Sequence, residues 1–101
     1  MVLERAQFRI LPGREQEFET AFEQARLVLA RSHGVHSATL SRGVESPSTY
    51  LLLVEWETLE DHTVGFRQSD LFTEWRGLLG HLFDGPPDVE HFVQVAAVPA
   101  G

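Results

Sequence analysis

Thr49-Tyr50-Leu51-Leu52-Leu53-Val54-Glu55-Trp56 is the stretch that decides the fold of this chain. In an extended strand successive side chains point to opposite faces of a sheet. Leu51 and Leu53 therefore share one face, and Tyr50, Leu52, Val54 and Trp56 share the other. Both faces are apolar, so both need cover. Periodicity alone leaves open whether the face with Tyr50 and Trp56 meets helices or another molecule. The strand is read from Thr49 to Glu57. Immediately upstream, a turn-rich run from Gly43 to Ser48 joins it to a second extended run, Val35 to Arg42, and the two predict an antiparallel hairpin.

Further upstream, Val2 to Leu11 alternates, with Val2, Ala6, Phe8 and Ile10 on one face and Arg5, Gln7 and Arg9 on the other. Pro12-Gly13 breaks that strand. Phe18, Ala21, Phe22, Ala25, Val28 and Leu29 then recur at helical spacing, with Glu15, Glu19, Glu23 and Arg26 outward, and this predicts an amphipathic helix ending near Gly34. Downstream of the hairpin, Thr58 can cap a brief helix, with Asp61 as the returning acid and Gly65 as an interruption. Ser69 is a second N-cap candidate. It precedes a helix with Leu71, Phe72, Trp75, Leu78, Leu79 and Leu82 on one side. Asp84-Gly85-Pro86-Pro87 stops that helix, and a last strand alternates Val89, His91, Val93 and Val95 against Glu90, Phe92 and Gln94.

The order strand, helix, strand, strand, helix, strand is the split βαβ arrangement, a ferredoxin-like α+β fold with an antiparallel sheet. Its handedness sets both helices on one sheet face. The apolar residues of the opposite face then have no cover within the chain, and a homodimer packed sheet against sheet supplies one. The chain is read as a single domain over 1–101, with a core of about 2–96 and a short C-terminal tail.

Composition narrows the function. With 43% hydrophobic and 23% charged residues the chain is an ordinary folding sequence. It has no apolar run near the ~20 residues of a membrane span and no signal-peptide pattern, so the expectation is a cytoplasmic protein with no membrane partner. A net charge of -7, with scattered arginines and no lysine, argues against nucleic acid. The absence of cysteine excludes disulfides, thiolate metal sites and cysteine nucleophiles. Five histidines without an i, i+4 pair or a matching carboxylate cluster predict no metal site, and no glycine-rich phosphate loop is present.

Trp56-Glu57-Thr58-Leu59-Glu60-Asp61-His62, Phe66-Arg67-Gln68-Ser69, Phe72, Trp75-Arg76, and Pro86-Pro87 with Glu90-His91-Phe92 resemble the antibiotic biosynthesis monooxygenase family across nearly the whole chain. The resemblance implies a dimeric α/β barrel with a pocket between sheet and helices in each subunit. It also implies a cofactor-independent monooxygenase of an aromatic or quinol-type small molecule, in which the deprotonated substrate passes an electron to oxygen and no flavin or metal takes part. Such chemistry needs a base near neutral pKa, a group that stabilises an oxyanion, and an apolar slot for a flat ring.

His62 and His91 are the candidate bases and Arg67 the oxyanion partner. Phe66, Phe72, Trp75 and Arg76 are candidates for substrate binding, although the three aromatics suit a core equally well. His33, His36 and His81 are expected at the surface or at caps. The haem-degrading branch carries an asparagine, a tryptophan and a histidine ligand where Ala6, Phe66 and Arg76 stand here, so the resemblance disfavours haem degradation. The alternative to an oxygenase is a non-catalytic dimeric binding protein using the same pocket, or a dimer whose pocket is filled by side chains.

Overall fold

The sheet is built around its two longest apolar strands. In a computed structural model describing residues 1–101, β1 (Val2–Arg9) and β3 (Thr49–Trp56) pair antiparallel at the centre, with Ala6 opposite Leu52 and Phe8 opposite Tyr50. β2 (Val35–Arg42) flanks β3 and β4 (Asp88–Phe92) flanks β1, giving the order β2-β3-β1-β4. The ferredoxin-like α+β fold is thus present as the sequence predicts.

α1 (Glu15–Ala30) starts after Gly13, whose φ of 87° turns the chain off the sheet. It buries Phe18, Phe22, Ala25, Val28 and Leu29. α2 (Asp70–Leu79) buries Trp75 and Leu79, and a 3-10 turn, Gly80–Leu82, adds Leu82. Both helices lie on the face carrying Tyr50, Leu52, Val54 and Trp56, and all four of those side chains are fully buried. That settles which face holds Tyr50 and Trp56: it is the helix side. Each polar tip there has a partner, Tyr50 Oη donating to Glu19 Oε2 at 2.5 Å and Trp56 Nε1 to Glu4 Oε1 at 2.9 Å.

Three local expectations are corrected. Gly65 does not interrupt the segment after β3, which runs through a π-helical turn, Asp61–Phe66, closed by Arg67 N–H donating to His62 O at 3.1 Å. The Thr58–Asp61 cap does form, with Asp61 N–H donating to Thr58 Oγ1 and Thr58 N–H to Asp61 Oδ2. Ser69 stands at the N-cap of α2 with an extended backbone, yet its hydroxyl donates backward to Phe66 O at 2.7 Å and leaves the helix uncapped by any side chain. Finally, β4 ends at Phe92, short of Val93 and Val95, which are largely exposed. The β1–β4 pairing ends at Leu3 opposite Phe92.

The opposite sheet face has no cover within the chain. It presents Leu3, Leu51, Leu53 and Phe92, and it is more polar than the strand-three pattern alone suggests. Thr39, Glu55 and Gln7 share it, as does Arg5, which lies 3.3 Å from Glu90.

Candidate functional site

Between the helix-side face of the sheet and α2 lies a cavity of about 520 Å3, within the usual range for small-molecule sites. Its floor is Ala6, Phe8, Leu52 and Val89 from the sheet, and its wall is Phe66, Phe72 and Trp75. Phe83, Gly85, Pro86 and Pro87 close one end. Phe66 packs edge-on to both Phe72 and Trp75, with ring centroids 5.5 and 6.0 Å away. Phe66 and Trp75 are buried members of the core and cavity wall at once, so the two readings of these aromatics coincide.

The polar groups converge from three elements. His62 comes from the π-helical turn, where the wider winding directs both it and Phe66 inward. Its ring is buried, stacked on Trp56 at a centroid distance of 5.1 Å. His91 comes from β4, directly opposite Glu4 of β1 in the sheet register. His62 Nδ1 is 2.7 Å from His91 Nε2, and His62 Nε2 is 3.4 Å from Glu4 Oε1. His62, Glu4 and Arg67 line the cavity, whereas His91 stands behind His62 and does not. Arg76 also lines it, with its guanidinium 5.9 Å from the Phe72 ring centroid. His33 is exposed, His36 pairs with Glu57 at the surface, and His81 lies 3.7 Å from Glu17.

Glu4 is the group that sequence reasoning missed. It is only 6% exposed and lines the cavity. The available signal was parity: position 4 falls on the same face as Ala6 and Phe8, and a carboxylate on an apolar face is costly to bury without a purpose. Burial pushes its carboxyl above the ordinary value, opposed by the Trp56 hydrogen bond and by Arg67. Its Oε1 accepts from Trp56, while Oε2 has no hydrogen-bond partner in the chain. Burial, with help from Arg67 and His91, brings the His62 pKa down to about 4, and burial followed by Arg67 lowers that of His91. Both imidazoles are thus neutral near pH 7. No three His, Asp or Glu side chains are arranged to hold a metal ion, since the near nitrogens of His62 and His91 face each other.

A four-stranded antiparallel sheet with two helices on one face and an apolar cavity beneath α2 defines a ferredoxin-like α+β domain with an internal pocket. The model of the antibiotic biosynthesis monooxygenase family matches residues 1–78, and the chain belongs to that family. It is 50% identical over 95 residues to the uncharacterised protein YczJ of Bacillus subtilis, covering 94% of this chain and all of that one. A crystal structure from Bordetella bronchiseptica assigned to the same family is 44% identical, covers 94% of this chain and 97% of that one, and superposes with a TM-score of 0.91. SnoaB of Streptomyces nogalater, a cofactor-independent oxygenase, shares the fold at 21% identity, with coverage of 98% and 97% and a TM-score of 0.82. No helix is long and apolar enough to cross a membrane.

Proposed function

We propose that this protein is a cofactor-independent monooxygenase of an electron-rich hydroxyaromatic or quinol-type molecule, working as a homodimer with one cavity per subunit. The observation that carries the reading is the line Glu4, His62, His91, which runs from an apolar cavity to a partly exposed ring. The flat slot between Phe66, Phe72, Trp75 and the sheet orients the ring system. Glu4 Oε2, free of partners and held at a raised pKa, takes the substrate proton. His62 passes a proton from Glu4 to His91, and His91 releases one to water. Arg67 stabilises the resulting aromatic oxyanion.

The electron-rich anion then reduces O2 by one electron, the radical pair forms a carbon–oxygen bond, and the peroxide loses water. For a substrate oxidised at a ring methylene, that methylene and one O2 become one ring carbonyl and one water. The carbon gives up both of its C–H bonds and supplies all four electrons. Here the protein residues bind, deprotonate and exclude water, and the substrate supplies the reducing power.

An oxygen-electrode assay with anthrone and a hydroquinone panel tests this. Substrate-dependent oxygen uptake is expected, with Glu4→Gln slower by roughly 10²-fold or more, the usual worth of a general base. His91→Gln should lose rate and regain part of it with added imidazole as an external proton acceptor. Saturable binding with no uptake across the panel would replace the oxygenase by the binding-protein reading.

A further inference from the structure

We propose that the ligand of this cavity carries a permanent anionic group, a carboxylate, bound by Arg76 at a point separate from the reacting hydroxyl; this rests on the cavity being the substrate site. The chain has net charge -7, and its acids outnumber its eight arginines. Five of those arginines, Arg5, Arg14, Arg26, Arg31 and Arg42, have a carboxylate oxygen within 3.6 Å. Arg9, Arg67 and Arg76 have none within 4.0 Å and donate no side-chain hydrogen bond in the chain. Two of these three, Arg67 and Arg76, line the cavity. A protein with surplus carboxylates has left two of its three unpaired arginines facing one pocket.

The two cations are not equivalent. Arg67 directly follows the π-helical turn, its backbone N–H closing that turn on His62 O at 3.1 Å, and its charge is felt by Glu4, His62 and His91. Arg76 projects from α2 instead, its guanidinium 5.9 Å from the centroid of the Phe72 ring, itself part of the wall. Deprotonating one hydroxyl creates one negative charge, and Arg67 meets it. Arg76 is surplus to that step. One planar guanidinium fork fits one carboxylate through two parallel N–H donors, and Arg76, though exposed to solvent, lines the cavity with that fork unpaired.

Calorimetric titration of the wild-type protein with 6-hydroxy-2-naphthoate, its methyl ester and 2-naphthol tests the assignment. The acid should bind at least about tenfold more tightly than the ester or naphthol, the scale of one charge-assisted hydrogen bond. Added salt should erode only that advantage. Arg76→Gln should abolish the acid's preference, whereas Arg67→Gln should weaken acid and ester alike and preserve it. Arg9→Gln, outside the cavity, serves as the charge control and should leave the preference intact. If acid and ester bind equally, or if the preference survives Arg76→Gln, the anionic subsite is wrong while the cavity remains the binding site. If none of the three binds, both readings fall together.

Discussion

At the scale of single residues, the cost of this site is paid in ionisation. His62 has a folded pKa of about 4 against an ordinary 6.5, so between those values the folded chain holds fewer protons than the unfolded one. Stability is therefore intact above about pH 6.5 and declines as pH falls toward 4, by up to about 3 kcal/mol for this group. Glu4 runs the other way. Its raised pKa makes the folded chain retain a proton that the unfolded chain has lost, so its penalty appears as pH rises above 4.5. Thermal melts at pH 7 and pH 5 should show a larger loss of Tm on acidification for wild type than for His62→Gln. The quantity to compare is the difference between the two pH values, since removing the ring from Trp56 lowers both melts. Equal acid losses would mean that His62 is not held neutral by burial. Residue chemistry was only partly legible in the sequence. Histidine announces itself by its pKa, so His62 and His91 could be singled out by type, and the structure sets them 2.7 Å apart with only His62 lining the cavity. Glu4 was not, because its partners lie on other elements: Trp56 is 52 positions away and its ring reaches Glu4 only through the β1–β3 register.

At the scale of elements, Gly34 ties the start of β2 to the turn that carries His62. Gly34 has a φ of 87°, and a Cβ there would stand 2.2 Å from Asp61 Oδ2. Gly34 O accepts from Glu57 N–H at 2.7 Å, so this residue joins the start of β2, the end of β3 and the capped turn that carries His62. Gly34→Ala combines a left-handed backbone with a clash. It should cost on the order of 2 kcal/mol, or roughly 10 °C in Tm for a chain this size, and displace the Thr58–Asp61 cap. A melt within about 2 °C of wild type would show that the turn yields easily. The strands and helices were legible because alternation and 3.6-residue spacing act within a few residues. Gly65 misled because a glycine costs a helix only about 1 kcal/mol. The burial of His62 and Phe66 on one side of the turn outweighs that cost. The end of β4 was hidden for a different reason: Val93 and Val95 keep the alternation, while the pairing that makes a strand ends at Phe92.

At the scale of the whole molecule, the sheet is covered on one side only. The chain measures 38 × 37 × 21 Å, a slab one sheet and one helix layer thick, and its radius of gyration of 13.9 Å slightly exceeds the ~13 Å expected for a compact chain of this length. Nineteen of 101 residues are buried, and the large buried side chains belong to the helix side. On the open side Leu3, Leu51 and Leu53 are only partly shielded and Phe92 is 45% exposed. Arg5 Nη1 there is shielded from solvent and makes no aligned hydrogen bond, its nearest acceptor being Glu90 Oε1 in an ion pair at 3.3 Å. A second copy laid sheet to sheet covers the leucines on both chains, a gain of about 25 cal/mol per Å2 of apolar area. The proposed homodimer should therefore sediment as a two-chain species at micromolar concentration. Leu53→Asp sets an unpaired charge in the middle of the contact, at a cost of several kcal/mol, and should give monomer or unfolded protein. Thr39→Asp tests the cross-strand neighbour of Leu53 on the same face and should weaken the dimer as well. Leu27→Asp changes an exposed leucine on α1, away from the contact, and should leave the dimer intact. A wild-type protein that sediments as a folded monomer, or a Leu53→Asp variant that remains a stable dimer, would show that the open face is not the seam between two copies.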